Sequence, residues 1–415
     1  MTAVQARASQ DAGRVAVLIP HLRTGGGELS MLRLAAGLAR GGLKVDLLVH
    51  TLQQAELVVP AELGVVELDR NGRLGSLGSV RVLANWLRGP QQRRPHWLLS
   101  AFPHTNVAAV AARAWARSDC RCVISEHAPL SLQIQRQGNL RYRVLPPLVR
   151  WAYPRADAVV AVSQGVRDDL QRLVGPGLRL HTIANPVLDD ETAWPEGATS
   201  AAPDGGDAGT PLHPWLKDQR LQVVLSVSRL SEEKDIPTLL RAFLQVHGQR
   251  PQARLLLAGE GPARSMLQRL VAELGLDEVV ALPGRISKPR AWMQAATVFA
   301  LASQYEGFGN VLIEALASGT PVVSTDCPVG PREILDGGRF GSLVPVADPA
   351  AMAGALMQAL DHPALPAGAR AHAARFTDTA ACTAWRQLLD GLRGAQSRHH
   401  VGPNALSAPG GERPG

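Results

Sequence analysis

A chain of 415 residues that is 46% hydrophobic can bury two full cores, so length predicts two domains and the apolar share excludes wholesale disorder. No stretch reaches the roughly 18 to 20 uninterrupted apolar residues of a membrane span, and residues 1–13 carry no apolar run of the kind a secretory signal needs. The net charge of +7 is unevenly divided: residues 1–186 hold 23 Lys and Arg against 12 Asp and Glu, the remainder 20 against 24. A cytoplasmic protein is expected. Cys120, Cys122, Cys327 and Cys382 form no C-x-x-C or Cys/His array and read as thiols of a reducing compartment.

Residues 14–20 (RVAVLIP) read as a buried parallel strand, followed by Gly25, Gly26 and Gly27 and by a helical pattern at Leu29, Leu32, Leu34, Ala35 and Leu38. Strand, glycine loop and helix make a Rossmann-like opening, which residues 44–50 continue. Such a loop can hold a dinucleotide pyrophosphate, with Asp46 near the spacing of a ribose-binding acid. Two features argue against that use: Ser30 stands in the third glycine's place, and Asp46 enters its strand rather than closing it.

Residues 70–118 contain eight arginines and no acid, and residues 127–156 five more, again with no acid. Arginines interleaved with Leu, Trp and Tyr over 140–155 can attract an anionic membrane at about 1 kcal/mol per basic residue near the surface. They can also bind nucleic acid or form a solvated face; the membrane is favoured. Residues 97–102 and 121–125 read as further strands, with Glu126 and His127 at the carboxyl end of the second, where open α/β sheets place ligands. There His127 either reaches a ligand or is satisfied by backbone. Residues 156–163 form the next strand. Residues 188–214 collapse to Asp, Gly, Ala, Pro and Thr and read as a linker with a flexible insertion.

Beyond the linker, residues 222–228 form a strand with Arg229 and Lys234 in the loop that leads to a helix near Asp235 and Pro237. Two cations so placed can face one anion, each charge-assisted bond contributing about 1.5 to 3 kcal/mol, or can pair locally with Glu232 and Glu233. Residues 254–258 lead to Gly259 and Glu260, and 279–283 to Gly284, Arg285 and Ile286. In the stretch 303–335, Gly307 and Gly309 flank Phe308, a helix spans 310–318, Gly319 caps it, and Val322 and Val323 begin a strand. Glu306 lies in the loop and Glu314 in the second turn, around a helix start whose N–H groups can approach an anion. A phosphate-centred ligand with hydroxyls at both ends fits this layout, as a nucleotide sugar does. The competing reading is a plain βα unit with solvated glutamates.

The segment EGFGNVLIEALASGTPVVST resembles the E-x7-E motif of the retaining GT-B glycosyltransferases of the family-4, or group 1, type. SEHAPLS around His127, IANPV around Asn185 and RLSEEK after the second-domain strand extend the likeness over nearly the whole chain except linker and tail. The resemblance implies an α/β GT-B fold, two Rossmann-like domains facing each other across a cleft: residues 1–187 on the acceptor side, a linker at 188–216, a donor domain at 217–375, a terminal helix at 376–393 returning to the first domain, and a disordered tail at 394–415. It also implies roles. Arg229 and Lys234 would hold the donor diphosphate, His127 would line the reaction centre, Glu306 would bind the sugar and Glu314 the ribose. Gly26, Gly27, Gly259, Glu260, Ile286, Gly307, Phe308, Gly309, Asn310 and Val311 would line the donor site. Ile286 is compatible with uracil contacted through backbone amides, so a UDP-sugar is favoured.

The chain departs from the family pattern at Ala128, Pro129, Ser228 and Asp235, and CPVGPREIL at 327–335 hints at enzymes of lipid-linked oligosaccharides or surface polysaccharide. No D-x-D triplet is present, so no metal and no other cofactor is expected. The implied activity is transfer of a hexose or N-acetylhexosamine, with retention, to a lipid-linked or polysaccharide acceptor in cell-envelope glycan synthesis. The expected partners are the nucleotide sugar, that acceptor and an anionic membrane at the inner face of the plasma membrane, with no nucleic acid. Alternatives are a GT-B-fold epimerase, a Rossmann oxidoreductase or a non-catalytic sugar-nucleotide-binding protein. The irregular glycine pattern and the presence of Glu306, Arg229 and Lys234 weigh against them.

Overall fold

The computed structural model describes residues 13–23, 25–69, 78–136, 140–190 and 211–397. The flexible insertion expected within the linker lies outside them at 191–210, as do residues 1–12 and 398–415.

The first sheet contains seven strands: β1 (Arg14–His21), β2 (Lys44–Thr51), β3 (Gly64–Glu67), β4 (Trp97–Ala101), β5 (Arg121–Glu126), β6 (Ala158–Ala161) and β7 (Leu180–Thr182). They pair in the order β3-β2-β1-β4-β5-β6-β7, every neighbour parallel. The central strands are continuous apolar runs because helices cover both faces, leaving no solvated side for polar alternation. The second sheet follows the same plan with β8 (Gln222–Val227), β9 (Ala253–Ala258), β10 (Val280–Gly284), β11 (Val298–Leu301), β12 (Val322–Thr325) and β13 (Ser342–Val344). Its order, β10-β9-β8-β11-β12-β13, is again wholly parallel. Strand order therefore reverses between β1 and β4 in one sheet and between β8 and β11 in the other. Ligands bind at such points, outside the carboxyl ends of the strands.

Five helices position the site: α1 (Gly26–Arg40), α2 (Pro103–Ala116), α3 (Gln164–Val174), α4 (Ile236–Gln249) and α5 (Asn310–Ser318). A sixth, α6 (Asp378–Ser397), packs Cys382, Trp385 and Leu389 into the core of the first sheet beside Met31, Leu34 and Leu38 of α1. Gly37 permits the close approach, since a Cβ there would overlap the Cys382 sulfur. The helix runs to Ser397, past the expected boundary at 393; near that boundary Leu392 still packs on the core and the Arg393 guanidinium lies 4.2 Å from the Trp97 ring centroid.

The chain crosses between the domains twice, side by side. Val187 and Leu188 both donate backbone N–H groups to Phe376 O, and Leu188 bridges Thr377. The linker is also shorter than composition suggests. Residues 211–217 include a helical turn, Pro214–Lys217, whose His213 ring lies 6.4 Å from that of Trp292 in the second domain.

Candidate active site

The carboxyl ends of β8 and β11 bring the expected donor residues together. After β8, Lys234 reaches across to the loop after β11, where its Nζ lies 2.5 Å from Glu306 Oε1. Ser303 Oγ donates to the same carboxylate oxygen at 2.6 Å. This pairing, and not one with Glu232 or Glu233, is what the strand ends select. Glu233 instead accepts from Ser231 Oγ at 2.5 Å. Arg229 is exposed in the cleft and helps to depress the pKa of His21 in the opposite domain, after burial and Arg23.

Helix α5 begins and ends as its glycines require. Gly309 (φ 96°) and Gly319 (φ 84°) both take the left-handed conformation, and no side chain caps the N-terminus. Gly309 has no side chain with which to cap the helix, so an anion would find no competing cap at its first N–H groups. Glu314, in the second turn, has its pKa pushed up to about 7 by burial, held back by Arg33 of α1. The side chains of Phe308 and Ile286 are buried in the core, and that of Val311 is partly buried against it. The Phe308 ring is 2% exposed and lies edge-on to Phe376 at 5.6 Å, Val311 packs against the same core, and Ile286 is 9% exposed. Phe308 and Ile286 can therefore meet a ligand only through backbone. Gly259 (φ 144°) donates its N–H to Gly284 O at 2.8 Å, and its missing Cβ makes room for the Ser228 carbonyl, which knits three loops into one floor. Glu260 sits at the rim and pairs with Arg264 at 2.8 Å.

Across the cleft, Glu28 decides the role of the first glycine loop. Its carboxylate folds back over Gly25, filling the space a Cβ would take, with Oε1 3.6 Å from His21 Nδ1. A helix start covered by its own carboxylate is no cradle for a pyrophosphate. Asp46 is likewise occupied, bridging Arg14 at 2.7 Å. Gly26 and Gly27 instead allow close approach: a Cβ on Gly27 would stand 2.8 Å from the Phe102 ring, and one on Gly26 3.3 Å from Asn310 Nδ2.

His127 follows β5 at the centre of the cleft, its ring 5.3 Å from that of Phe102. Burial lowers its pKa to about 4, so the imidazole is neutral at physiological pH. Ser125 Oγ lies 3.1 Å from Nε2 and donates its single hydrogen to Ser100 O at 3.0 Å. With its hydrogen on Ser100 O, the Ser125 oxygen accepts from Nε2–H, and the other ring nitrogen, Nδ1, is buried. Gly307 packs directly on the His127 carbonyl, so the donor loop and the acceptor-side histidine meet without an intervening side chain.

Behind His127 lies a buried polar cluster that sequence reading does not assemble. Glu126 Oε1 accepts from Asn106 Nδ2 at 2.8 Å and from the Tyr153 hydroxyl, while Ser100 Oγ donates to Asn106 Oδ1 at 2.6 Å. Burial raises the Glu126 pKa from 4.5 to about 8. The folded chain thus holds a proton that the unfolded chain releases above pH 4.5, so this contribution to stability is full at low pH and is lost as pH rises through about 8. Glu126→Gln, which mimics the protonated acid, is expected to melt progressively higher than wild type between pH 5 and 9, by about 4 °C or more at the upper end. Parallel melting curves would contradict a protonated Glu126.

Several bonds hold the domains together at the site. Ser163 Oγ donates to Gly307 O at 3.2 Å, the Gln164 N–H to Glu333 Oε2 at 2.8 Å, and Arg285 pairs with Glu56 at 2.8 Å. Asn310 makes three more, to Gly26 O (3.2 Å), to Ser30 Oγ (3.2 Å) and from Asn185 Nδ2 (3.1 Å). Ser30 is the residue that spoils the dinucleotide pattern in the sequence, and that departure was the one available signal of its role. Among the described residues no group of three or more His, Cys, Asp or Glu side chains is placed to hold a metal ion.

Comparison with known proteins agrees with this architecture. Residues 24–191 match the family described as Glycosyltransferase Family 4, and residues 221–362 the family described as Glycosyl transferases group 1, together about three quarters of the chain. One curated relative is the N-acetylgalactosamine-N,N'-diacetylbacillosaminyl-diphospho-undecaprenol 4-alpha-N-acetylgalactosaminyltransferase of Campylobacter jejuni, 32% identical over 241 residues, 58% of this chain and 60% of the relative. The chain thus spans less than two thirds of that relative's length. Another is the lipopolysaccharide core biosynthesis glycosyltransferase LpsE of Rhizobium meliloti, 35% identical over 136 residues, 33% of this chain and 38% of that one. Among solved structures, sucrose-phosphate synthase from Thermosynechococcus elongatus superposes with a TM-score of 0.77 over 92% of this chain and all of that one, at 21% identity. Anabaena HepE in complex with UDP and glucose gives 0.71 over 91% of this chain and all of that one, also at 21% identity. The two matches, one on each parallel sheet, together with the superposition over nearly the whole chain, identify it as a member of the group 1 and family 4 glycosyltransferases with the GT-B fold.

Proposed function

We propose that the protein transfers a hexose or N-acetylhexosamine from a nucleotide sugar to a lipid-linked or polysaccharide acceptor in cell-envelope glycan synthesis, with retention at the anomeric carbon. The observation that carries this reading is the convergence of Lys234, Glu306 and the uncapped start of α5 at one switch point, directly against His127 of the other domain. As the sugar leaves, negative charge builds on the nucleoside diphosphate. Arg229, Lys234 and the α5 N-terminus meet that charge, so the reaction needs no metal ion. Glu306 holds sugar hydroxyls and Glu314 the ribose. Neutral His127, packed against the donor loop at Gly307, would line the reaction centre beside the transferred sugar. A UDP-sugar is the favoured donor, supported by the HepE complex with UDP and glucose. A lipid-diphosphate acceptor is supported by the name of the Campylobacter relative.

The test is transfer of label from a UDP-sugar panel into the organic phase of a membrane lipid extract. Label recovered in lipid supports the reading. Label confined to free sugar or nucleotide in every reaction would remove the lipid-linked acceptor from it.

No helix among the described residues is long and apolar enough to cross a membrane. Docking on anionic lipid is proposed instead, through the basic face of the first domain. Val144 and Trp151 are 43% and 39% exposed there, and the Arg155 guanidinium lies 5.3 Å from the Trp151 ring centroid. At about 1 kcal/mol per basic residue, three engaged arginines predict at least tenfold tighter sedimentation with anionic than with neutral vesicles. Equal binding to the two would exclude the docking.

A further inference from the structure

On α1, Gly26, Ser30 and Arg33 stand at i, i+4 and i+7 and share one face; on α5, Asn310 and Glu314 stand at i and i+4 and share another. These faces meet across the cleft. The Asn310 amide Nδ2 donates to Gly26 O and to Ser30 Oγ, each at 3.2 Å; these acceptors lie 2.7 Å apart, so they share one N–H, and the amide oxygen accepts from Asn185 Nδ2 at 3.1 Å. The Ser30 hydroxyl hydrogen is committed to Gly26 O at 2.7 Å, so Ser30 can only accept from Asn310. Ser30 is 1% exposed, which fixes its orientation. One turn further along, Arg33 contacts Val187 O at the interdomain crossing and lies 3.7 Å from Asp378, the first residue of α6. Acceptor-side helix, donor-side helix and both chain crossings therefore join at one seam.

We propose that Asn310 is the latch of this seam and that Ser30, although it belongs to the acceptor-side domain, is a positioning residue for the donor site. The proposal rests on the reading that the start of α5 cradles the donor diphosphate. Asn310 is the first residue of that helix, and its amide is satisfied by protein only when the domains are closed. Opening breaks all three bonds at once. The closed state presents the cradle to Gly26 and His127 in fixed register, and the donor binds that state. A substitution that favours the open state lowers apparent donor affinity by the fraction of closed molecules lost, without touching the ligand.

The experiment compares wild type, Ser30→Ala, Asn310→Ala and the double variant by small-angle scattering and by calorimetric titration with UDP. Each single variant is expected to show a larger radius of gyration and about tenfold weaker UDP binding, and the double variant to be no weaker than Asn310→Ala alone. A Ser30→Ala protein with wild-type radius and wild-type UDP affinity would overturn the latch, as would losses that multiply in the double variant. If wild type does not bind UDP, the UDP-donor reading fails, and the radius of Ser30→Ala against wild type still decides the latch.

Discussion

Lys234→Ala is expected to lower turnover about a hundredfold while leaving the protein folded. The lysine does two things at the end of β8. Its ammonium, 2.5 Å from Glu306, fixes the carboxylate assigned to the sugar, and it supplies one of the two side-chain cations assigned to the departing diphosphate. Removing a preorganised partner of developing charge costs about 2.7 to 4 kcal/mol of transition-state stabilisation, which is the origin of the factor. The stability cost is smaller. Both side chains keep some access to solvent, at 19% and 10%, and Ser303 Oγ still donates to Glu306, so a loss of about 1 to 2 kcal/mol is expected rather than the 3 to 5 of a fully buried broken pair. Turnover and melting temperature measured together separate the two effects. Wild-type turnover in Lys234→Ala would remove the residue from the site.

Gly307→Ala is expected to abolish detectable turnover by holding the domains apart. A Cβ at this position would overlap the His127 carbonyl oxygen and crowd Ala128 Cα, both backbone atoms of the opposite domain that have no rotamer by which to withdraw. No positive φ is required there, so alanine brings no backbone strain of its own, and the nearest atoms it would meet all belong to the opposite domain. The substitution therefore spares each core and blocks only their approach. Scattering should show an expanded molecule with an unchanged far-UV circular dichroism spectrum. A compact and active Gly307→Ala protein would mean that the domains do not meet at this point during catalysis.

What the sequence made legible follows from where the information is local. The α5 unit was readable to the residue, since Gly309 and Gly319 both adopt left-handed backbone that other residues reach only at a cost, and the apolar period between them is unambiguous. The long central strands were equally clear as apolar runs. Three of the four edge strands, Gly64–Glu67, Leu180–Thr182 and Ser342–Val344, were not, because runs of three or four residues carry no periodic signal. At the site, residue types and strand-end positions pointed to Lys234 and Glu306 separately, but their pairing joins residues 72 apart and is created by the adjacency of β8 and β11. Phe308 shows the limit of local reading from the other side. Its place in the glycine loop suggested a ligand contact, and tertiary packing against Phe376 draws the ring into the core. The Asn106, Glu126 and Tyr153 cluster was illegible for the same reason as the pairing: three separate segments converge on one buried carboxyl.

Release of nucleoside diphosphate from a panel of UDP-, GDP- and ADP-sugars, with and without membrane lipid extract, by wild type and Lys234→Ala tests the transferase site most directly. Release from one donor, stimulated by the extract and reduced about a hundredfold in the variant, is the predicted result. Release that is equal in the two proteins, or absent for every donor with the extract present, would contradict the assignment of the cleft as a nucleotide-sugar transferase site.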